Sequence, residues 1–159
     1  MKYYIISKNK VNFFRNMAEN TSYFRLPIGF FGNFIVQSKG KFKNTLDIKW
    51  AMMLVVDFAR IYALKNKISA TNTMERLEML YKKNVISESD YNEISFSYSY
   101  MMNLRFINQI DGIINEGQEP NNNINPKKLS KIEQQTLKEI FKKTEKTRAK
   151  LQLDFLKVI

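Results

Sequence analysis

The pattern of apolar and polar positions predicts a chain built almost entirely of helices. Residues 46–64 carry apolar side chains on nearly every side, which is typical of a central helix buried by its neighbours. We predict that Thr45 is its N-cap and that Asp47 lies in its first turn, where a carboxylate suits the helix dipole. A loosely amphipathic helix over residues 2–19 and three helices on the C-terminal side would pack around it.

The boundaries of the three C-terminal helices are predicted from capping residues. Asn72 caps the first of them, and Ser87 begins a second that Gly117 ends. The last begins at a capping box on Ser130 and runs almost to the end of the chain. The long middle helix has a predicted core face made of Tyr91, Ile94, Tyr98, Met101, Met102, Leu104, Ile107 and Ile114. The fold class is therefore all-α, an up-and-down bundle of four to five helices with a small N-terminal loop or β-hairpin.

That N-terminal loop is predicted over residues 26–32. Gly29 and Gly32 bracket two phenylalanines, and glycine permits backbone angles that other residues avoid, so the segment is a shaped loop. The two phenylalanines are expected to anchor it in the core. The residues that follow suggest a short β-hairpin turning near Gly40.

A few polar residues interrupt the apolar central helix. Because each helical residue advances by about 100°, they fall within one stripe of roughly 80°. The stripe consists of Lys49, Met53, Asp57 and Arg60. Charges on a buried helix are costly unless they are paired or face a cavity. The stripe is therefore either a structural Asp57–Arg60 pair or the polar wall of a binding cleft, and the two interpretations are compatible.

Composition restricts the chemistry that the chain can perform. The sequence has no cysteine and no histidine, which removes disulfides, thiol nucleophiles, imidazole catalysis and the usual zinc sites. It also lacks a glycine-rich phosphate loop and a serine or threonine nucleophile with a base beside it. We expect no metal site and no catalytic residue, so this chain alone is not predicted to be an enzyme. Without a secretory signal or an apolar run of about 20 residues, it is expected to be cytoplasmic.

The net charge of +11 is concentrated at the two ends of the chain. Residues 1–44 hold eight Lys/Arg against one Glu, residues 45–126 hold eight against ten acidic residues, and residues 127–159 hold ten against four. Such basic ends can meet nucleotide phosphates, an acidic protein or nucleic acid. No basic run is interleaved with aromatics, which makes a nucleic-acid-binding domain the third of three hypotheses.

Several stretches, taken in their order along the chain, resemble the C-terminal substrate-binding domain of the DUF294-type nucleotidyltransferases. These enzymes are related to protein-PII uridylyltransferase-like proteins. The resemblance covers roughly residues 26–155. It rests on Leu26-Pro-Ile-Gly-Phe-Phe-Gly, Leu46-Asp-Ile-Lys, Asp57-Phe-Ala-Arg, Thr71-Asn-Thr-Met-Glu-Arg-Leu, Leu104-Arg with Gln109, Gly117-x-x-Pro-x-Asn, and Leu129-Ser with Leu137-Lys.

The resemblance implies a division of the chain and a partner. Residues 1–25 would be the helix leading out of a missing upstream domain, and residues 26–159 the substrate-binding domain. The partner would be a catalytic domain of the polymerase-β type, in a bacterial signalling protein that often carries CBS modules. The Gly-Ser motif and metal-binding Asp-x-Asp of such a domain do not occur here. Mg²⁺ and a nucleoside triphosphate are therefore expected only for the full enzyme, whose expected substrate is a signalling protein.

The resemblance also implies which residues position the substrate. The predicted positioning residues are Lys49, Arg60, Arg76, Arg105 and Gln109, with Asp47, Asp57 and Asn72 orienting them. The family places more basic residues after the first arginine of its Arg-rich run, and only Arg105 and Gln109 carry over. The main alternative is a protein-interaction or dimerisation module without a ligand. If these charged side chains converge on one pocket, substrate binding is favoured. If they instead form pairs with each other inside the bundle, the interaction module is favoured.

Overall fold

The computed structural model describes residues 2–117 and 119–156, with side chains given for residues 12–115, 117 and 119–156. This part of the chain contains five α-helices, a 3-10 helix over Pro126–Lys128 and one two-stranded antiparallel sheet, which confirms the predicted helical bundle. The elements are α1 (Lys2–Thr21), β1 (Leu46–Asp47), α2 (Lys49–Lys65), α3 (Thr73–Lys82), α4 (Glu88–Glu116), β2 (Asn123–Ile124) and α5 (Lys131–Phe155). No helix in the described ranges is both long and apolar enough to cross a membrane.

The central position of α2 follows from its composition. It packs against the four other α-helices, and nine of its 17 residues are buried, six of them larger apolar or aromatic residues and three of them alanines. Alanines let neighbouring helices approach closely, while Phe58 and Tyr62 fill the space between them, with ring centroids 4.6 Å apart. As predicted, the core is organised around this helix.

The start of α2 differs from the prediction. The helix begins at Lys49, and Leu46–Asp47 forms β1, which pairs with β2. Thr45 is not the N-cap, because its hydroxyl donates to the Phe42 carbonyl at 2.6 Å. The N-cap position is Ile48, which has no side-chain capping bond, and the Asp47 carboxylate just before it accepts the Lys49 N–H at 2.9 Å. Leu46 is almost fully buried here, so burial and strand pairing outweigh an early helix start.

The other helix ends confirm the predicted caps. Asn72 accepts the Met74 N–H at 2.8 Å at the start of α3, and Ser87 accepts the Asp90 N–H at 3.0 Å at the start of α4. Gly117 ends α4 in the left-handed region, with φ at 60°. A reciprocal capping box on Ser130 opens α5. Local side-chain chemistry therefore sets these four boundaries.

The segment between α1 and β1 is a loop with little strand structure. Ile28 and Phe34 form an isolated antiparallel bridge. The predicted reversal near Gly40 exists, since the Gln37 N–H donates to the Thr45 carbonyl at 2.8 Å and the Gln37 carbonyl accepts the Asn44 N–H at 2.8 Å. None of the residues between Ile35 and Thr45 forms a β-strand, so the structure has a turn in place of the predicted hairpin.

The two phenylalanines of the glycine-bracketed loop do not enter the core. Phe30 is 98% exposed and Phe31 is 88% exposed, so the prediction that they are anchors is wrong. The buried Leu26 and the ring of Phe34, which meets Phe141 at 6.3 Å, hold the loop instead. With these anchors at both of its ends, the loop leaves its tip and the two rings in solvent.

The C-terminal half of α4 also departs from the predicted core face. Ile107 and Ile114 are 66% and 73% exposed, so they were wrongly assigned to the core. Leu104 is the last buried residue of α4 among its described side chains. The final three turns of the helix therefore extend beyond the part that packs on the bundle, and they leave apolar side chains uncovered.

Candidate functional site

The predicted polar stripe lies on the least buried side of α2. Lys49 is exposed, while Met53, Asp57 and Arg60 are half-buried. The remaining sides of the helix face α1, α3, α4 and α5 and hold its buried residues. The stripe therefore borders solvent, where its charges are less costly than in a sealed core.

Asp57 and Arg60 form an ion pair one turn apart on this stripe. The Arg60 Nη1 donates to the Asp57 carboxylate at 2.9 Å. Burial raises the pKa of the Asp57 carboxyl above its ordinary value, and the charge of Arg60 offsets only part of that shift. The pair agrees with the structural interpretation of these two residues. The ionised carboxylate is nonetheless held at a net cost, as is common at functional sites.

This raised pKa makes a prediction about Asp57→Asn. A carboxyl whose pKa is higher in the folded than in the unfolded protein binds its proton more tightly when folded. The free energy of unfolding of the natural protein, measured relative to Asp57→Asn, should therefore fall as the pH rises from the ordinary value of 3.8 towards neutrality. Urea titrations of both proteins across that range would check it. A relative stability that rises over the same range would show that the ion pair with Arg60 outweighs burial.

A second group of predicted residues meets at the N-terminus of α2. The Arg105 Nε, on α4, donates to the Asn122 side-chain oxygen at 2.7 Å. The Asn122 carbonyl in turn accepts the Ile48 N–H at 3.1 Å, and the Asp47 carboxylate accepts the Lys49 N–H. The structure thus brings Asp47, Lys49, Arg105 and Asn122 to one place, which we call the α2 N-terminal cluster.

Asn122 is the residue of this cluster that was not predicted as a site residue. It lies in a polar segment rich in asparagine and proline, whose composition indicates only turns. Its presence in the Gly117-x-x-Pro-x-Asn motif was the one available signal. The structure gives it a role, because its side chain and its carbonyl join α4 to the start of α2.

The other predicted residues are used closer to their own helices. The Arg76 Nε donates to the Ala70 carbonyl at 2.8 Å, and Asn72 caps α3. Gln109 is half-buried one turn after Arg105. Asp57 and Arg60 lie eight to eleven residues along α2 from Lys49, or about 12–17 Å at 1.5 Å per residue. Full convergence of the predicted set on one pocket is therefore not what the structure shows.

A polar cavity of about 170 Å³ lies beside the cluster. Its walls come from α4 and from the segment around β2, whose Asn123 pairs with Asp47. The side chains that line it include Thr45, Asn108, Asp111, Asn121, Asn123 and Asn125. Lys41 and Lys128 also line the cavity, so its wall combines amide groups, which donate and accept hydrogen bonds, with positive charge. Such a wall suits a polar ligand group such as a base edge, a sugar hydroxyl or a phosphate. Within the described residues, no group of three or more acidic side chains is placed to hold a metal ion.

Comparison with known protein families identifies the family of this chain. The model of the family DUF294_C, described as "Putative nucleotidyltransferase substrate binding domain", matches residues 11–155. The chain belongs to this family. The match confirms the resemblance found in the sequence, and it begins inside α1 rather than at residue 26. No curated protein and no solved structure matches this DUF294_C chain.

Proposed function

We propose that this DUF294_C chain is the non-catalytic, substrate- or nucleotide-binding accessory domain of a bacterial signalling nucleotidyltransferase of the uridylyl- or adenylyltransferase kind. It would form the far wall of the cleft of a polymerase-β-type catalytic domain, on the same or a separate chain. Family membership supports the substrate-binding role. The observation that supports this surface is the α2 N-terminal cluster. There Asn122 holds Arg105 near the start of α2, and Asp47 pairs with Asn123, which lines the neighbouring polar cavity.

The cluster has the properties that a phosphate-bearing substrate requires. Nucleotidyl transfer depends mainly on positioning and on positive charge against the phosphates. Asn122 fixes the Arg105 guanidinium through its Nε, and the two Nη groups make no hydrogen bond to the described residues. Lys49 adds an exposed ammonium at a helix N-terminus, where the dipole also favours negative charge. In this proposal Mg²⁺ is held by the catalytic domain and supplies charge neutralisation there.

The single tryptophan allows a direct test. Trp50 follows Lys49 in α2, is about half exposed and contacts the Phe24 ring at 5.6 Å. Its fluorescence should change on titration with one of ATP, UTP, GTP or CTP in the presence of Mg²⁺. Arg105→Ala should raise the Kd about tenfold or more, because a hydrogen bond to a charged group contributes about 1.5–3 kcal/mol.

A matched control separates this surface from general electrostatics. Arg15→Ala removes one positive charge from an exposed ion pair on α1 and should leave the Kd unchanged. Equal weakening by both variants would point to a non-specific effect of net charge. A titration in which no nucleotide changes the fluorescence or the melting temperature would contradict autonomous nucleotide binding. The cluster would then need its catalytic partner to form a complete site.

A further inference from the structure

An apolar surface on α4 has no partner within the described chain. Its six side chains are between 49% and 73% exposed, although all are large and apolar. We call this surface the α4 apolar face, and it consists of Phe96, Phe106, Ile107, Ile110, Ile113 and Ile114. Single exposed apolar residues are ordinary, but a contiguous set on one helix indicates an interaction surface.

The six side chains share one side of the helix. At about 100° per residue they fall within a sector of roughly 120°. Between Asn92 and Gly117 the same sector contains only serine and asparagine besides these six, and no charged residue. Arg105, the cation of the α2 N-terminal cluster, lies about 140° from the centre of the sector. The face and the proposed substrate surface are therefore on different sides of α4.

The size of the face matches a subunit interface. Its six side chains together expose on the order of 600 Å², which is at the upper end of the range for the largest apolar patch on a monomer, and such patches are often functional. A stable interface buries about 800 Å² on each partner. The remainder would come from neighbouring residues such as Tyr100, whose ring lies 6.1 Å from that of Phe96.

We propose that the α4 apolar face joins two copies of this chain in a symmetric, antiparallel α4–α4 dimer. A two-fold axis makes each residue of a shared face meet its counterpart reciprocally. With the axis near residue 105, Phe96 of one protomer packs against Ile114 of its partner, so an aromatic end meets an aliphatic end at both edges. The absence of charge from the face lets it pack against itself without an unpaired buried ion.

The charge of α4 argues against a lipid surface as the occupant. The α4 sequence holds five carboxylates against one arginine, a charge of −4, in a chain of net charge +11. An anionic membrane surface would be repelled by these carboxylates. The carboxylates of two protomers also repel each other, but between Asn92 and Gly117 none of them lies in the sector of the apolar face, so that repulsion acts through solvent and is screened by salt. The size of the face and its freedom from charge are the features that favour a second copy.

The test is the mass of the full chain in solution between about 1 μM and 1 mM, a range that covers weak and strong dimers. Light scattering and sedimentation should give twice the protomer mass of 18.9 kDa at high concentration. Ile110→Glu and, separately, Ile114→Glu should each raise the dimer dissociation constant by about thirtyfold or more, since each places an unpaired carboxylate against apolar side chains of the partner. Ile132→Glu is the matched control, because this isoleucine is also largely exposed but lies on α5.

Orientation can be tested because the chain has no cysteine of its own. Oxidising a mixture of Phe96→Cys and Ile114→Cys proteins should give mainly the mixed disulfide, as an antiparallel pair requires. A predominance of like-with-like disulfides would overturn the antiparallel arrangement. A protomer mass at every concentration would overturn the dimer and leave the face to another protein, such as a catalytic domain. Disruption by Ile132→Glu as strong as that by Ile110→Glu would also contradict it.

Discussion

Phe58→Ala is expected to lower the free energy of unfolding by about 3–5 kcal/mol, since truncating a buried aromatic ring leaves a cavity that the core only partly fills. Phe58 is fully buried in the middle of α2, the helix that contacts all the others, and its ring packs on Tyr62. Small domains unfold at a cost of about 5–15 kcal/mol, so this loss is a large share of the total. Urea unfolding followed by far-UV circular dichroism would measure it.

Phe30→Ala is the matched control for that experiment. It removes the same atoms from a ring that is almost completely in solvent, so the free energy of unfolding should change by less than about 0.5 kcal/mol. A loss comparable with that of Phe58→Ala would mean that the loop tip is anchored in solution. Conversely, a small effect at Phe58 would show that α2 is not the centre of the core.

The helices were predictable because their signals are local. Caps at Asn72, Ser87 and Ser130 and the left-handed Gly117 each act within a few residues of the helix end that they define. The apolar character of α2 likewise reports its burial directly, because a helix that is apolar on nearly every side must be covered on most of them. Local chemistry and periodicity were therefore sufficient for the bundle and for four of its boundaries.

The start of α2 was not predictable in this way. Leu46 is extended because it pairs with Ile124, and three helices separate these two residues along the chain. A strand of two residues has no periodicity of its own, so nothing in residues 45–48 distinguishes it from a first helical turn. The threonine that resembles an N-cap uses its hydroxyl within the preceding turn instead.

The exposed residues were misassigned for a different reason. Phe30, Ile107 and Ile114 were assigned to the core because they are apolar, but much of any protein surface is also apolar. Periodicity shows which face of a helix is apolar, and it does not show where the neighbouring helices end. On α4 the apolar pattern continues beyond Leu104, the last buried position among the described side chains. Only the packed structure separates the part that forms the core from the part left for a partner.

The sequence predicted which residues belong to the candidate site better than it predicted how those residues are arranged. Lys49 and Arg105 came from motifs in the resemblance, and the structure brings them to the same helix end through Asn122. Asn122 carries no charge and no helical pattern, so only the contact between α4 and the β2 segment reveals its role. Arg76 carries equal charge in the sequence, yet it is engaged with the carbonyl of Ala70. Hydrogen-bond partners therefore decide which cations stay available to a ligand.

Arg148→Met is expected to lower the free energy of unfolding by about 1.5–2 kcal/mol, the lower end for hydrogen bonds to charged groups because part of the site is in solvent. The mostly buried guanidinium donates to the Phe24 carbonyl at 2.7 Å through Nη1 and to the Glu145 carboxylate through Nε and Nη2. It thereby ties the segment after α1 to α5, and the Phe24 ring in turn covers Trp50. Methionine keeps the aliphatic volume, so the loss reports the hydrogen bonds.

Two measurements distinguish the loss of the Arg148 hydrogen bonds from a general loss of positive charge. Hydrogen exchange of the backbone amides in residues 24–35 should accelerate in Arg148→Met more than exchange in α3, because the segment loses its attachment to α5. Arg15→Met removes an exposed arginine that pairs with Glu19 on its own helix, and it should cost at most about 0.5 kcal/mol. Equal effects of the two substitutions, or unchanged exchange in residues 24–35, would mean that Leu26 and Phe34 alone hold the loop. Selective acceleration would instead show that a single arginine on α5 fixes the segment beside Trp50.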